Sequence, residues 1–262
     1  MQLDTIDYRV ADGVAHVRLN RPEGANAVNK AFAVDFRAVV AEIEFEAAVR
    51  AVSVTAEGKV FCAGGDLKEF HAAGTGLPRH GADLLTDFHA AIYKMNRMSK
   101  PFVVGVRGAA GGAGLSLMSA FDLAIAGEST KFTMAYTRAG MTPDGTSSYF
   151  ITRHIGVRRM LDLTLTNRVL SAAEAEAWGL VNRVVPDDDV DDACAAMAAE
   201  LAAGAPYAVG NAKRVVYSGM DTPLEQAGEF EGVTITDAMA TADGQEGIAA
   251  FVEKRPPNFT GS

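Results

Sequence analysis

Two short stretches hold the residues whose types and spacing suit chemistry. The first is FCAGGDLKEF (61–70), where side chains are stripped away at Ala63, Gly64 and Gly65 before Asp66 and Leu67 begin a charged run. The second is RGAAGGAGLSL (107–117), bare through Ala113 and then apolar. Each lies where a strand pattern gives way to a helical one, so each can offer a backbone N–H instead of a side chain. Two such donors aimed into one pocket would hold a developing oxyanion. A helix beginning near Gly112 would add its positive end to the same spot. The residues must be small because a planar acyl group has to approach the main chain itself. Taken singly, each cluster reads equally well as a tight turn with close packing.

Other uses of the second cluster fail on spacing. A dinucleotide loop starting at Gly112-x-Gly114 needs Gly or Ala at 117, where Leu117 stands, and an acidic residue about 20 positions on. No Gly-Lys-Ser/Thr follows for a phosphate-binding loop, and neither Ser116 nor Ser119 sits in a Gly-x-Ser-x-Gly elbow.

The elements that must position these junctions follow from patterning. Ile6–Val10 and Val14–Leu19 alternate apolar and polar residues around Asp12-Gly13, which predicts a hairpin with a primed turn. Asn29 caps an expected helix running to about Glu46, with Phe32, Phe36, Val39, Val40 and Ile43 on one stripe. Val52–Thr55, Pro101–Val106, Asp122–Ala126 and Val181–Val185 read as strands, and 83–98 as an amphipathic helix. Residues 72–82 hold three glycines and a proline and read as a mobile loop. Ser171 and Glu174 form a capping box, with Gly179 as the helix stop. From Asp189 onward the pattern is helical. Strands alternating with helices imply an α/β core, 1–204, followed by a helical region, 205–262, that docks on the core or on a neighbouring subunit.

Composition narrows the class. The 262 residues are 48% hydrophobic, enough for one large domain with or without an appendage. No apolar run reaches the ~18 residues of a membrane span. The acidic start MQLDTIDYRV lacks a signal core, and two cysteines suit a reducing compartment, so a cytoplasmic protein is expected. A net charge of −9 without a basic aromatic stripe argues against nucleic acid as the partner. His16, His71, His80 and His154 show no metal-ligand spacing.

At this point the residues resemble the crotonase superfamily, also called the enoyl-CoA hydratase/isomerase family. The likeness is carried by LNRPEGANAVN (19–29), FCAGGDLKEF (61–70), VRGAAGGAGLSL (106–117), FDLAIAGESTKF (121–132), LTNRVLSAAEAEAWGLVNRVV (165–185) and FVEKRPPNF (251–259). It implies a spiral of ββα units with a helical C-terminal region that builds trimers, often paired into hexamers. It also implies an acyl-CoA thioester as substrate and no separate cofactor or metal. By the same match, the N–H groups of Gly65 and Ala113 would hold the thioester oxygen. Many members have Gly at position 113, but Ala still supplies the amide. Glu23, Gly24 and Ala25, with Ala63, Gly64, Asp66 and Leu67, would line the CoA groove. Phe251 and Lys254 would contact the nucleotide end, across a subunit boundary.

The resemblance also exposes a departure. Hydratases of the family use two glutamates, at positions occupied here by Ser116 and Tyr136, and water addition needs a base and an acid. A carboxylate does occur at Asp144, in MTPDG (141–145), where some family isomerases carry an acid. One buried base suffices for a double-bond shift, provided that an apolar lining such as Met134, Met141 and Phe150 raises its pKa. The competing reading makes Asp144 the cap of a helix near Ser147 or part of a Pro-Asp-Gly turn. His89 matches the histidine of aryl-thioester dehalogenases, in which Asp144 would be the nucleophile; it also reads as a core or pocket-rim residue. Isomerisation is the favoured expectation. Hydration, a dehalogenase-like reaction and a non-catalytic CoA-binding protein are the alternatives.

Overall fold

The computed structural model describes residues 2–262. It opens with an antiparallel hairpin, β1 (Ile6–Ala11) and β2 (Val14–Leu19). Asp12 at φ +51° and Gly13 at φ +78° form its turn, the left-handed pair that a primed turn demands. There follow α1 (Lys30–Phe45), β3 (Ala51–Ala56), α2 (Leu67–Ala72), α3 (Leu77–Arg97), β4 (Phe102–Val106), β5 (Ala109–Gly111) and α4 (Ala113–Ser119). Next come β6 (Leu123–Gly127), β7 (Lys131–Thr133), α5 (Ser147–Ile155), α6 (Val157–Thr166), β8 (Leu170–Ser171), α7 (Ala172–Trp178) and β9 (Arg183–Val185). The chain closes with α8 (Val190–Ala203), α9 (Pro206–Gly219), α10 (Leu224–Ala240) and α11 (Ala242–Glu253).

The larger sheet runs β1-β2-β3-β4-β6-β9 and is parallel from β2 onward. The smaller sheet runs β5-β7-β8. The link between them repeats. β4 of the large sheet leads into β5 of the small one and then α4, and β6 leads likewise into β7. After β3 the second strand shrinks to a single bridge, Cys62 to Ala110, before α2 begins. Successive ββα units therefore wind as a spiral, and each carries the chain from a long buried strand to a tight junction and then to a helix.

Alternation along the strands explains the two layers that cover the large sheet. Val104, Ala124 and Ala126 belong to the main core, which α1 and α3 also build. Val103 and Ile125 point the other way, onto Cys194, Ala198 and Ala202 of α8. α1 starts where the Asn29 side chain accepts the Phe32 N–H at 2.9 Å. It buries the stripe Phe32, Phe36, Val39, Val40 and Ile43. The Ser171–Glu174 capping box starts α7, and Gly179 ends it at φ +80°.

Residues 72–82 depart from the expected mobile loop. They form a 3-10 turn, Gly74–Gly76, and then the opening of α3. Pro78 falls in the first helical turn, where its missing N–H leaves no bond unmade. Helix propensity lost at Gly81 is offset because α3 continues into the buried stripe Leu84, Phe88, Ile92 and Met95. Among the described residues no helix is long and apolar enough to cross a membrane.

Candidate active site

The two glycine-rich junctions meet main chain to main chain. The Gly111 N–H donates to the Cys62 carbonyl at 3.0 Å, and the Cys62 N–H to the Ala109 carbonyl at 3.2 Å. Gly64 adopts φ +124°, with the Gly111 carbonyl oxygen 3.1 Å from where a Cβ would stand. At Gly114 a Cβ would lie 2.3 Å from the Cys62 carbonyl oxygen and 2.7 Å from the Cys62 Cβ. Glycine is required at both places, because another backbone occupies the space. The Cys62 thiol is packed into this contact, and burial pushes its pKa up to about 11.

The rim is tied to the same point. The Val28 N–H donates to the Gly64 carbonyl at 2.7 Å, the Asp66 N–H to the Val28 carbonyl at 2.9 Å, and the Ala63 N–H to the Ala25 carbonyl at 3.0 Å. Asp66 caps α2 through the Lys68 and Glu69 amides, and it pairs with Arg21 at 2.6 Å. Arg21 in turn lies against Gly24.

One cleft gathers these parts. Ala63, Gly64, Gly65, Gly112 and Ala113 line it beside Val28, Leu67, Phe70, Leu84, Phe88, Tyr136, Met141 and Asp144. The N–H groups of Gly65 and Ala113 find no acceptor among the described residues. Unpaired amides in an apolar cleft are expensive unless a ligand or water takes them. Asp144 is the only carboxylate in the lining.

Asp144 does not cap α5 with its side chain. Its backbone carbonyl receives the Ser147 N–H at 3.2 Å and the Ser147 hydroxyl at 2.9 Å. The carboxylate instead accepts the Tyr136 hydroxyl on Oδ1. Tyr136 Oη lies 2.8 Å from Ser116 Oγ, and Ser116 Oγ lies 3.2 Å from the Gly112 carbonyl. Burial raises the Asp144 pKa above the usual carboxylate range; the Tyr136 hydrogen bond and the charge of His89 oppose it. Burial, then the charge of Asp144 and its hydrogen bond, push the Tyr136 phenol far above its ordinary value. His89 stands behind Asp144 and does not line the cleft. Its Nε2 accepts the Gly145 N–H at 3.2 Å, so in that arrangement the ring proton of a neutral imidazole sits on Nδ1.

The structure brings Gly65, Ala113, Asp144 and Tyr136 to one cleft, with Ser116 directly behind Tyr136. Ala63, Gly64 and Leu67 line the same cleft; Ala25 and Asp66 are bonded to its edge through the main chain, Gly24 lies against Arg21, and Glu23 is exposed outside the lining. Met141 lines it, whereas Met134 and Phe150 are buried elsewhere. Phe251 is 86% exposed near the end of α11 and Lys254 follows as its left-handed cap, both outside the cleft of the single chain. Val28, Phe70, Leu84 and Phe88 escaped the sequence reading. Their apolar periodicity was visible, but it does not separate a cleft wall from core. Among the described residues no group of three or more His, Cys, Asp or Glu is arranged to hold a metal ion.

The cleft, apolar and floored by two amides without an acceptor, lies in a spiral of ββα units, the fold of the crotonase superfamily. The sequence profile described as enoyl-CoA hydratase/isomerase matches residues 9–262, and the chain belongs to that family of enzymes acting on acyl-CoA. It is 32% identical over 264 residues to a 1,2-epoxyphenylacetyl-CoA isomerase of Escherichia coli K12, covering 99% of each chain. It is 32% identical over 250 residues to 4-chlorobenzoyl coenzyme A dehalogenase-2 of Arthrobacter sp., covering 95% of this chain and 91% of the relative. A crystal structure of an enoyl-CoA hydratase from Polaromonas sp. JS666 superposes with a TM-score of 0.93 at 30% identity, covering 97% and 99% of the two chains.

Two outcomes follow from this geometry. Gly114→Ala forces apart the backbones at Cys62 and should lower stability by about 1–3 kcal/mol, seen as a drop in Tm; an unchanged Tm would show that the junctions are not in contact. For Asp144, a folded-state pKa above the unfolded one means that the native state binds the proton more tightly. Its ionisation therefore costs stability as pH rises through the raised value, and costs nothing below the unfolded value of about 3.9. Asp144→Asn should melt above the parent at neutral pH, with the gap closing in acid. A gap that does not change with pH would contradict the raised pKa.

Proposed function

We propose that this enzyme shifts a carbon–carbon double bond in an acyl-CoA thioester, with Asp144 carrying the proton. The observation that supports this reading is a single carboxylate in an apolar cleft beside two unpaired amides. The Gly65 and Ala113 N–H groups receive the thioester carbonyl oxygen. Asp144 takes a proton from carbon, the C–H electron pair moves through the conjugated system onto that oxygen, and a dienolate forms. Collapse of the dienolate takes the same proton back two carbons away, so no water and no second acid are consumed. The raised pKa of Asp144 suits a base that must also give its proton up.

Hydration fits less well. It needs a second group that titrates near neutrality, and a phenol pushed far up by burial does not supply one. A dehalogenase-like reaction would use Asp144 as nucleophile and His89 to activate water, but the His89 Nε2 lone pair is engaged by the Gly145 N–H. The main chain of 23–25 and 63–67 forms the CoA groove in this reading. Exposed Ile235, Met239, Ile248, Phe251 and Val252 on α10 and α11 support assembly of copies through residues 205–262 as trimers or pairs of trimers. Such an assembly would bring Phe251 and Lys254 to a neighbouring copy's groove.

The test is turnover in heavy water of 3-enoyl-, 2-enoyl- and 4-chlorobenzoyl-CoA, read by mass. The expected result is interconversion of the two enoyl thioesters with at most carbon-bound deuterium gained, and a fall of roughly 10²–10⁴-fold in Asp144→Asn. Addition of the elements of water would replace this reading with hydration. Loss of chlorine would replace it with displacement, and no turnover of any thioester would favour a CoA-binding protein.

A further inference from the structure

Resting on Asp144 as the proton carrier, we infer that Ser116 and Tyr136 are positioning residues that couple the proton on Asp144 to the donor strength of the Ala113 amide. Ser116 has one hydroxyl proton and two acceptors in reach, Tyr136 Oη at 2.8 Å and the Gly112 carbonyl at 3.2 Å. Tyr136 likewise has one proton and two acceptors, Asp144 Oδ1 and Ser116 Oγ. Ser116 is fully buried and Tyr136 only 7% exposed, so solvent does not supply substitutes. Such a row of hydroxyls points one way or the other.

The direction depends on Asp144. A carboxylate accepts about twice as strongly as a neutral oxygen, so an ionised Asp144 draws the Tyr136 proton, and Ser116 turns to Tyr136. The Gly112 carbonyl then keeps only the Ser116 N–H, at 3.0 Å. Once Asp144 holds the substrate proton, its pull on Tyr136 is lost. Tyr136 turns to Ser116, and Ser116 turns to the Gly112 carbonyl. Each hydroxyl keeps its own proton and only rotates, so nothing but the substrate C–H is broken.

The far end of this row gives it a function. The Gly112 carbonyl and the Ala113 N–H belong to one peptide unit, joined by amide resonance. An added hydrogen bond on that carbonyl polarises the unit and strengthens its N–H as a donor. The strengthening arrives when the proton has left carbon, which is when the thioester oxygen carries charge. A substrate bound in its ground state does not receive it, so the gain falls on the transition state. Glutamates at 116 and 136 would be acceptors when ionised and would not form such a row; hydroxyls at both positions do.

The test reads the bound thioester without turnover. Hexanoyl-CoA, carbon-13-labelled at the carbonyl, is saturated and cannot isomerise. Its carbonyl stretch is followed by isotope-edited infrared as pH falls through the titration of Asp144. The titratable groups facing Asp144 are Tyr136 and, from α3, His89, so Asp144→Asn serves to isolate any contribution of His89. In the parent the band should move to lower wavenumber as Asp144 gains its proton, and Asp144→Asn should stay near the low position throughout. Tyr136→Phe and Ser116→Ala should each remove about half of the shift, leaving the part due to simple loss of charge, while Ser116→Thr keeps it. Ser116→Ala removes one oxygen only and decides the matter if Tyr136→Phe does not fold. Variants that shift as the parent does would overturn the relay and leave the isomerase reading intact. Failure of hexanoyl-CoA to bind the parent would overturn both.

Discussion

The structure depends on one contact, the passage of two main-chain segments past each other without side chains between them. Cys62 to Gly65 and Gly111 to Gly114 hydrogen-bond and touch at van der Waals distance. Hydrogen bonding accounts for most of their polar groups, but the strand-to-helix turns leave the Gly65 and Ala113 N–H groups over. Those two amides cannot be satisfied from within the chain, because each lies at the end of a strand ladder and ahead of the first intrahelical bond. The large sheet holds the junctions rigidly, with α8 on one face and α1 and α3 toward the other.

The cleft around them is almost without charge. Phe70, Leu84, Phe88 and Met141 form an apolar wall on one side, and burial raises the pKa of Asp144. The carboxylate tolerates the setting because Tyr136 donates to it. A buried polar group without a partner is costly, and a satisfied row from Asp144 to the Gly112 carbonyl avoids that cost.

Much of this was legible before any coordinates. The primed hairpin, the Asn29 cap, the Ser171–Glu174 box and the alternation of strands with helices are local, and local rules decide them. The opening of α3 was not, because three glycines and a proline in 72–82 look like a loop until the burial of Leu84 and Phe88 stabilises the helix from its far end. Asp144 was ambiguous for a similar reason. A Pro-Asp-Gly segment before a helix reads as a cap, and only the position of Tyr136 draws the side chain away from that role.

By itself the chain of amino acids determined which segments could be bare, where helices start, and that an acid stands at 144 while serine and tyrosine stand at 116 and 136. These properties reside in residue type and in spacing over a few positions. Tertiary structure alone decided that Gly65 and Ala113, 48 residues apart by number, open into one cleft. It alone decided that Ser116, Tyr136 and Asp144 join in a row, and that His89 turns its ring nitrogen to a backbone amide. Each of those arrangements is a distance between side chains or amides from different elements, and such distances are set by how sheets and helices pack, which no local pattern encodes.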